Sequence, residues 1–193
     1  IPLHLIAARL IAFAVPAGQD SVVVLQDDDL KITAFTVDHS PAQPAVGFRF
    51  DYKGRSLVIS GDTAAIPEIV TISQGADLLI HDALSRELLK LAEDAARQAG
   101  LSARAKIFSD LPDYHASPQE AADAAREARV GGLVLTHIVP PLPMKALEGV
   151  FLADAAERFT GQLWIARDGD LYSLPLGGSE IERSTLLRRG PAG

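Results

Sequence analysis

Short apolar runs in this chain repeatedly end on a histidine or an aspartate. Residues 31–37 lead into Asp38-His39, 56–60 into Gly61-Asp62-Thr63, 76–80 into His81-Asp82, and 132–136 into His137. Runs of this length, rich in Val, Ile, Leu and Thr, read as buried strands. Residues just past strand ends project from one rim of a sheet. The chain is therefore committed to a sheet whose rim gathers imidazoles and a carboxylate, and His115 joins from a loop that opens a helix. Zinc takes His nitrogen and Asp oxygen, and a catalytic zinc keeps one position open for water.

The 193 residues suffice for one domain with a real core. Hydrophobic residues make up 48% and charged residues 22%, a globular rather than a disordered composition. With 18 Lys+Arg against 25 Asp+Glu, the formal charge of -7 argues against a broad surface for nucleic acid or anionic membrane, though not against a local basic patch. The absence of cysteine excludes disulfides and thiolate ligands. The apolar stretch Leu3 to Val15 contains Arg9 and is too short to span a bilayer. It reads as a helix packing on a domain that continues upstream, in preference to a signal-peptide core. Residues 179–193 lack apolar periodicity and read as a flexible tail, leaving 1–178 as the domain.

Between these ends strands and helices alternate. Strands are expected at 21–25 and 31–37, parted by Asp27-Asp28-Asp29, and as a hairpin at 45–51 and 55–60. A short helix follows at 66–73 and a buried strand at 76–80. Leu88, Leu91, Ala95 and Ala99 then mark one stripe of a helix that Gly100 ends. Ser117-Pro118-Gln119-Glu120 is a helix start with a capping box. A strand at 133–136, a helix at 145–159, and a strand pair at 163–166 and 171–174 around Arg167-Asp168-Gly169-Asp170 complete an α/β layer arrangement.

The ordered set Val37-Asp38-His39-Ser40-Pro41, Gly47-Phe48-Arg49-Phe50, Ser60-Gly61-Asp62-Thr63, His81-Asp82-Ala83, Tyr114-His115-Ala116-Ser117 and Leu135-Thr136-His137 resembles the later motifs of the metallo-β-lactamase superfamily. Its ribonuclease Z and arylsulfatase-like branch is the most similar, over about residues 20–175. The resemblance implies an αββα sandwich with two zinc ions at one edge, of which this chain is an N-terminally truncated, C-terminal portion. It further implies metal ligation by His39, Asp62 and His137, with Asp62 bridging the two ions. His81 then matches a histidine near the scissile bond that donates a proton or stabilises charge, Asp82 orients its imidazole, and His115 is a pocket residue contacting substrate.

One family signature, His-x-His-x-Asp-His, is absent, since His4 is the only histidine before His39. Three protein ligands cannot build two metal sites, so the expectation for the fragment alone is at most weak metal binding and no turnover. Only a brief hairpin stands where ribonuclease Z carries a tRNA-gripping insertion. Together with the acidic balance, this favours a hydrolase of small esters, arylsulfatase-like or phosphodiesterase-like, with nucleic acid an unlikely partner. Two alternatives stand beside it: a non-catalytic half-domain or scaffold keeping part of the metal site, and a ribonuclease Z-like tRNA nuclease. No membrane partner is expected, a homo-oligomer is allowed, and a cytoplasmic location is favoured over a periplasmic or secreted one. Plainer readings exist for single residues: Asp62 in a Gly-Asp-Thr turn, His115 as the residue before a capped helix, and Asp27-Asp28-Asp29 as a solvated turn.

Overall fold

Four strands run as an antiparallel meander in the computed structural model, which describes residues 12–187: β1 (Ser21–Gln26), β2 (Leu30–Thr36), β3 (Val46–Tyr52) and β4 (Arg55–Ile59). Short connections make this possible. Between β3 and β4, Lys53 and Gly54 both take positive φ (48° and 81°), the combination of a two-residue turn matched to the strands' twist. Three parallel strands extend the same sheet in chain order: β5 (Leu78–Leu84), β6 (Gly132–Val139) and β7 (Gln162–Ile165). Parallel neighbours need crossovers, and helices supply them. They are α1 (Pro67–Ile72), then α2 (Arg86–Gln98), α3 (Ser102–Asp110) and α4 (Pro118–Glu127), and finally α5 (Glu148–Leu152) and α6 (Ala155–Arg158).

The main core lies between this sheet and the helices. Phe35, Val58, Leu79, Leu133 and Leu135 from the strands meet Ala121, Ala122 and Ala125 of α4 and Phe151 of α5. Alanines along the inner face of α4 let its backbone lie close to β5, nearly all of it buried, and to the buried first half of β6, Gly132 to Leu135, as parallel strands covered on both faces require. On the opposite face Leu78 and Val134 pack with Ile181, flanked by Trp164 and Tyr172. There a separate antiparallel pair, β8 (Asp170–Ser173) and β9 (Glu182–Thr185), forms the second sheet. Helices, a large sheet and a small sheet give the mixed α/β layering expected of a metallo-β-lactamase-type sandwich.

Several expectations are revised. The tail expected from 179 contains β9, and the buried Arg55 holds the approach to it by donating to the carbonyls of Gly178 and Glu180, the latter at 2.9 Å. Strand β7 joins the large sheet and β8 the small one, so Arg167–Asp170 turns the chain between sheets and closes no hairpin between these two strands. The helix expected over 145–159 is split at Ala153, where φ is 48°. On α2 the fully buried residues are Leu89 and Ala96, whereas Leu91 is 61% exposed, so the packed stripe is rotated from the expected one. The helix α3 was not foreseen: only its Ala105 is buried and Ile107 lies exposed, leaving no apolar stripe to read. Most of the apolar stretch 3–15, along with His4, lies outside the described residues, and 12–16 are not helical. No described helix is long and apolar enough to cross a membrane.

Candidate active site

Three loops and one strand irregularity bring the sequence-selected residues to one rim. His39 follows β2 and Asp62 follows β4. Gly61 makes the turn into Asp62 at φ +69°, and an added Cβ there would stand 2.8 Å from the Val46 carbonyl oxygen, so the position is restricted to glycine on two grounds. His137 does not sit past the end of β6 as expected but within it. The β5–β6 register runs Asp82 opposite Thr136 and then Ala83 opposite Ile138, so His137 is the extra, unpaired residue of a bulge, with φ 44°. A bulge of this kind bends its strand and re-aims a side chain. Here His137 is 51% exposed and its Nε2 stands 3.7 Å from Oδ2 of Asp62.

The loops are stitched to one another through backbone groups. The Asp38 N–H donates to Thr63 Oγ1 (3.2 Å), Ala64 N–H to the Asp38 carbonyl (2.8 Å), and Ala116 N–H to the Thr63 carbonyl (2.9 Å). Leu84 N–H in turn donates to the Ala116 carbonyl at 2.8 Å, which ties the rim to β5. Thr63 is completely buried at this junction. The capping box is formed as expected: Ser117 Oγ accepts from Glu120 N–H, and Glu120 returns a carboxylate oxygen to Ser117 N–H at 2.8 Å. It fixes the chain two residues beyond His115.

His39, His115 and His137 stand side by side. Ring centroids are 5.0 Å apart for His39 and His115 and 5.4 Å for His115 and His137, with Tyr114 also 5.2 Å from His39. Nδ1 of His39 lies 3.0 Å from the Tyr114 carbonyl, which can only accept, so Nδ1 carries the proton and Nε2 is left with a bare lone pair. Nδ1 of His115 lies 2.7 Å from Oδ2 of Asp82, and both residues are buried. The same argument fixes the His115 tautomer.

His81 has a different setting from the one expected. It is 1% exposed, and its Nδ1 donates to the Asp82 carbonyl at 2.8 Å, 3.0 Å from Asp82 Oδ1. That N–H aims at the carbonyl, leaving Oδ1 without an aligned hydrogen bond. Burial by itself raises the Asp82 pKa, but the hydrogen bond from His115, the nearby N–H of His81 and the charge interactions of both imidazoles outweigh it and hold the carboxyl below the ordinary aspartate value. Asp82 thus serves two imidazoles, and His115 is the one held toward the rim.

The donors at the rim suit a divalent cation. Metal–nitrogen and metal–oxygen bonds of about 2.0–2.2 Å each allow one ion to touch both His137 and Asp62 across their 3.7 Å gap. His39, with Nε2 free, adds a third donor of the right type. Among the described residues, however, no three His, Asp or Glu side chains converge tightly enough to form a metal-holding group. The sequence missed Thr63 and Tyr114, because their contributions are a buried hydroxyl and a backbone carbonyl that no spacing advertises.

A sheet rim carrying histidines and an aspartate, backed by helices, defines a metallohydrolase-type fold. The chain belongs to the beta-lactamase superfamily domain family, whose pattern matches residues 6–138, and this is a hydrolase family. Ribonuclease Z of Mycolicibacterium gilvum is 34% identical over 146 residues, covering 76% of this chain and 47% of the relative. A putative ribonuclease Z of Mycobacterium tuberculosis is 34% identical over 141 residues, covering 73% and 58%. The chain thus spans about half the length of the curated relatives it matches. Among solved structures, the metallo-beta-lactamase fold protein YhfI of Bacillus subtilis superposes with TM-score 0.52 at 25% identity, covering 74% of this chain and 49% of that one. Human tRNase Z, short form, shares the fold with TM-score 0.50 at 24% identity, covering 80% and 47%.

These relatives overturn the expectation of a small ester as substrate with nucleic acid an unlikely partner. The matched proteins carry the name of ribonucleases, and net charge was the weaker guide: a formal -7 describes the whole surface and leaves the charge along one rim undetermined.

Proposed function

We propose that the full-length protein is a metal-dependent phosphodiesterase that cleaves RNA, in the manner its ribonuclease Z relatives' name implies. The observation that carries this reading is the Asp82–His115 hydrogen bond, buried on the sheet side and directed at the histidine rim. His39, Asp62 and His137 would hold zinc, of which the complete protein would carry two ions. Zinc bound there supplies a Lewis acid for the phosphoryl oxygen and lowers the pKa of water. The chain's own residues do the rest. Asp82 accepts the Nδ1 proton of His115 and holds the ring in place; in the doubly protonated imidazolium Nε2 carries a second proton, which it hands to the departing ribose oxygen, leaving the neutral Nδ1–H form. His81 takes the role of a buried strut, locking Asp82 from the other side, in place of the proton donor expected from sequence.

The test is cleavage of a tRNA precursor by the full-length protein with and without zinc, alongside Asp62→Ala and His115→Ala. Zinc-dependent cleavage lost in both variants supports the reading; cleavage unaffected by chelation or by Asp62→Ala refutes it. A second reading, a half-domain that keeps only part of a metal site, is favoured by the missing three-donor group among the described residues. A full-length protein that takes up no zinc would decide for that one.

A further inference from the structure

We infer that the cavity beside His137 receives a nucleotide next to the scissile phosphate. This rests on the proposed action on RNA. The cavity, about 600 Å³, opens where the parallel strands β6 and β7 end at their carboxyl sides. The volume is in the range of small-molecule sites, roughly 300–1,000 Å³. His137 itself lines it, so the cavity is continuous with the rim.

The lining is chemically mixed in a way that selects the occupant. One wall is apolar, built from the proline-rich segment after β6 and ending at Met144, which is 59% exposed. Lys145 follows and brings an exposed ammonium to the same cavity. Arg167 faces it from the end of β7, its guanidinium bridged to Glu148. A guanidinium anchored in this way is charge-compensated and planar, suited to stacking or to a base edge more than to a free anion. Asp168 adds a further negative charge. A bare inorganic anion would meet two carboxylates and an oily wall. A nucleotide uses each part: its base lies against Met144 and Arg167, and its phosphate meets Lys145.

The experiment is RNA binding by the full-length protein in an Asp62→Ala background that blocks turnover, read by fluorescence anisotropy with a labelled tRNA precursor over a salt series. Lys145→Ala is expected to weaken binding about tenfold, the value of one charge-assisted contact. It should also reduce the slope of log affinity against log salt by about 0.7, as for one lost single-strand phosphate contact. Lys145→Arg should restore both, and Arg167→Leu should weaken binding while leaving the slope nearer to the parent's. Lys106→Ala, which removes an exposed lysine of α3 bridged to Asp110, is the control for general loss of charge. Equal weakening by Lys106→Ala, or an unchanged slope in Lys145→Ala, overturns the cavity assignment while leaving the ribonuclease reading intact. A parent protein that binds no RNA fails one step earlier, overturning that reading and the nucleotide with it.

Discussion

Replacing Asp82 with asparagine tests the proton-handling part of the proposal, because the amide satisfies neither of its two imidazole neighbours fully. In the native protein both His115 Nδ1 and His81 Nδ1 carry protons, the former donated to Asp82 Oδ2 at 2.7 Å and the latter to the Asp82 carbonyl, 3.0 Å from Oδ1. An asparagine must turn its NH2 toward one of these N–H groups. If the amide oxygen faces His115, a charge-assisted bond becomes a neutral one of about half the strength, and two donors crowd at His81. If the amide is flipped, His115 loses its acceptor. At an aspartate only 1% exposed, either outcome costs about 2–3 kcal/mol of stability. The loss of His115 orientation lowers kcat on RNA by roughly 10- to 100-fold. The discriminating assay compares a tRNA precursor with bis(4-nitrophenyl) phosphate, whose nitrophenolate leaves without needing a proton. Asp82→Asn and His115→Ala should reduce kcat on RNA much more than on the activated diester. Equal losses on the two substrates would refute a proton-donating role and reassign the pair to holding the rim in shape.

Other outcomes follow from the same geometry. Gly61→Ala forces a side chain into positive φ and against the Val46 carbonyl, so a loss of about 1–3 kcal/mol on thermal unfolding is expected, with zinc uptake weakened as Asp62 is displaced. Leu79→Ala empties a completely buried position between sheet and helices; chemical denaturation should register about 2–5 kcal/mol, with activity per folded molecule preserved. The Glu120 carboxyl is raised by partial burial but lowered further by the Ser117 backbone and Arg86, for a net depression. A depressed folded-state pKa contributes stability that is present above the unfolded value and lost as pH falls through the folded one. Glu120→Gln should therefore flatten part of the stability loss below about pH 4.5, and an acid limb identical to the parent's would contradict this.

The strands and the capped helix α4 were legible because each obeys a local rule: apolar runs bounded by turn residues, and a Ser-Pro-x-Glu start. The rim histidines were legible through their order along the chain. What was hidden has physical causes. His137 reads as a residue beyond a strand, yet β6 continues past it, and only the β5–β6 register reveals the bulge that turns it outward. Asp82 adjoins His81 in sequence, which suggested that pair, whereas the side chain of residue 115, brought in by a turn 33 positions later, takes Oδ2. The small sheet was hidden because β9 has a wholly exposed strand pattern, with Ile181 alone anchoring the segment in the second core. Composition pointed away from nucleic acid because a formal charge of -7 averages over the whole surface and leaves the charge along one rim undetermined.

Since the rim is assembled from backbone hydrogen bonds between loops, one buried hydroxyl should control it more than its size suggests. Thr63 Oγ1 accepts from Asp38 N–H at 3.2 Å and donates to the Ala64 carbonyl at 2.9 Å. Valine keeps the shape but removes both bonds, at a cost of about 1–2 kcal/mol, and it leaves the Asp38 N–H without its acceptor, so that the backbone bond from Ala64 N–H to the Asp38 carbonyl must hold the His39 loop to the Asp62 loop. Groups that orient metal ligands typically weaken metal affinity by about 10–100-fold when removed. Thr63→Val in the full-length protein should thus bind zinc at least tenfold more weakly by competition with a chelating dye, and Thr63→Ser, which keeps the hydroxyl, should recover most of the affinity. If valine lowered thermal stability but left zinc affinity at the parent's value, the stitching would be scaffolding for the fold alone. His39 and Asp62 would then owe their placement to their strands.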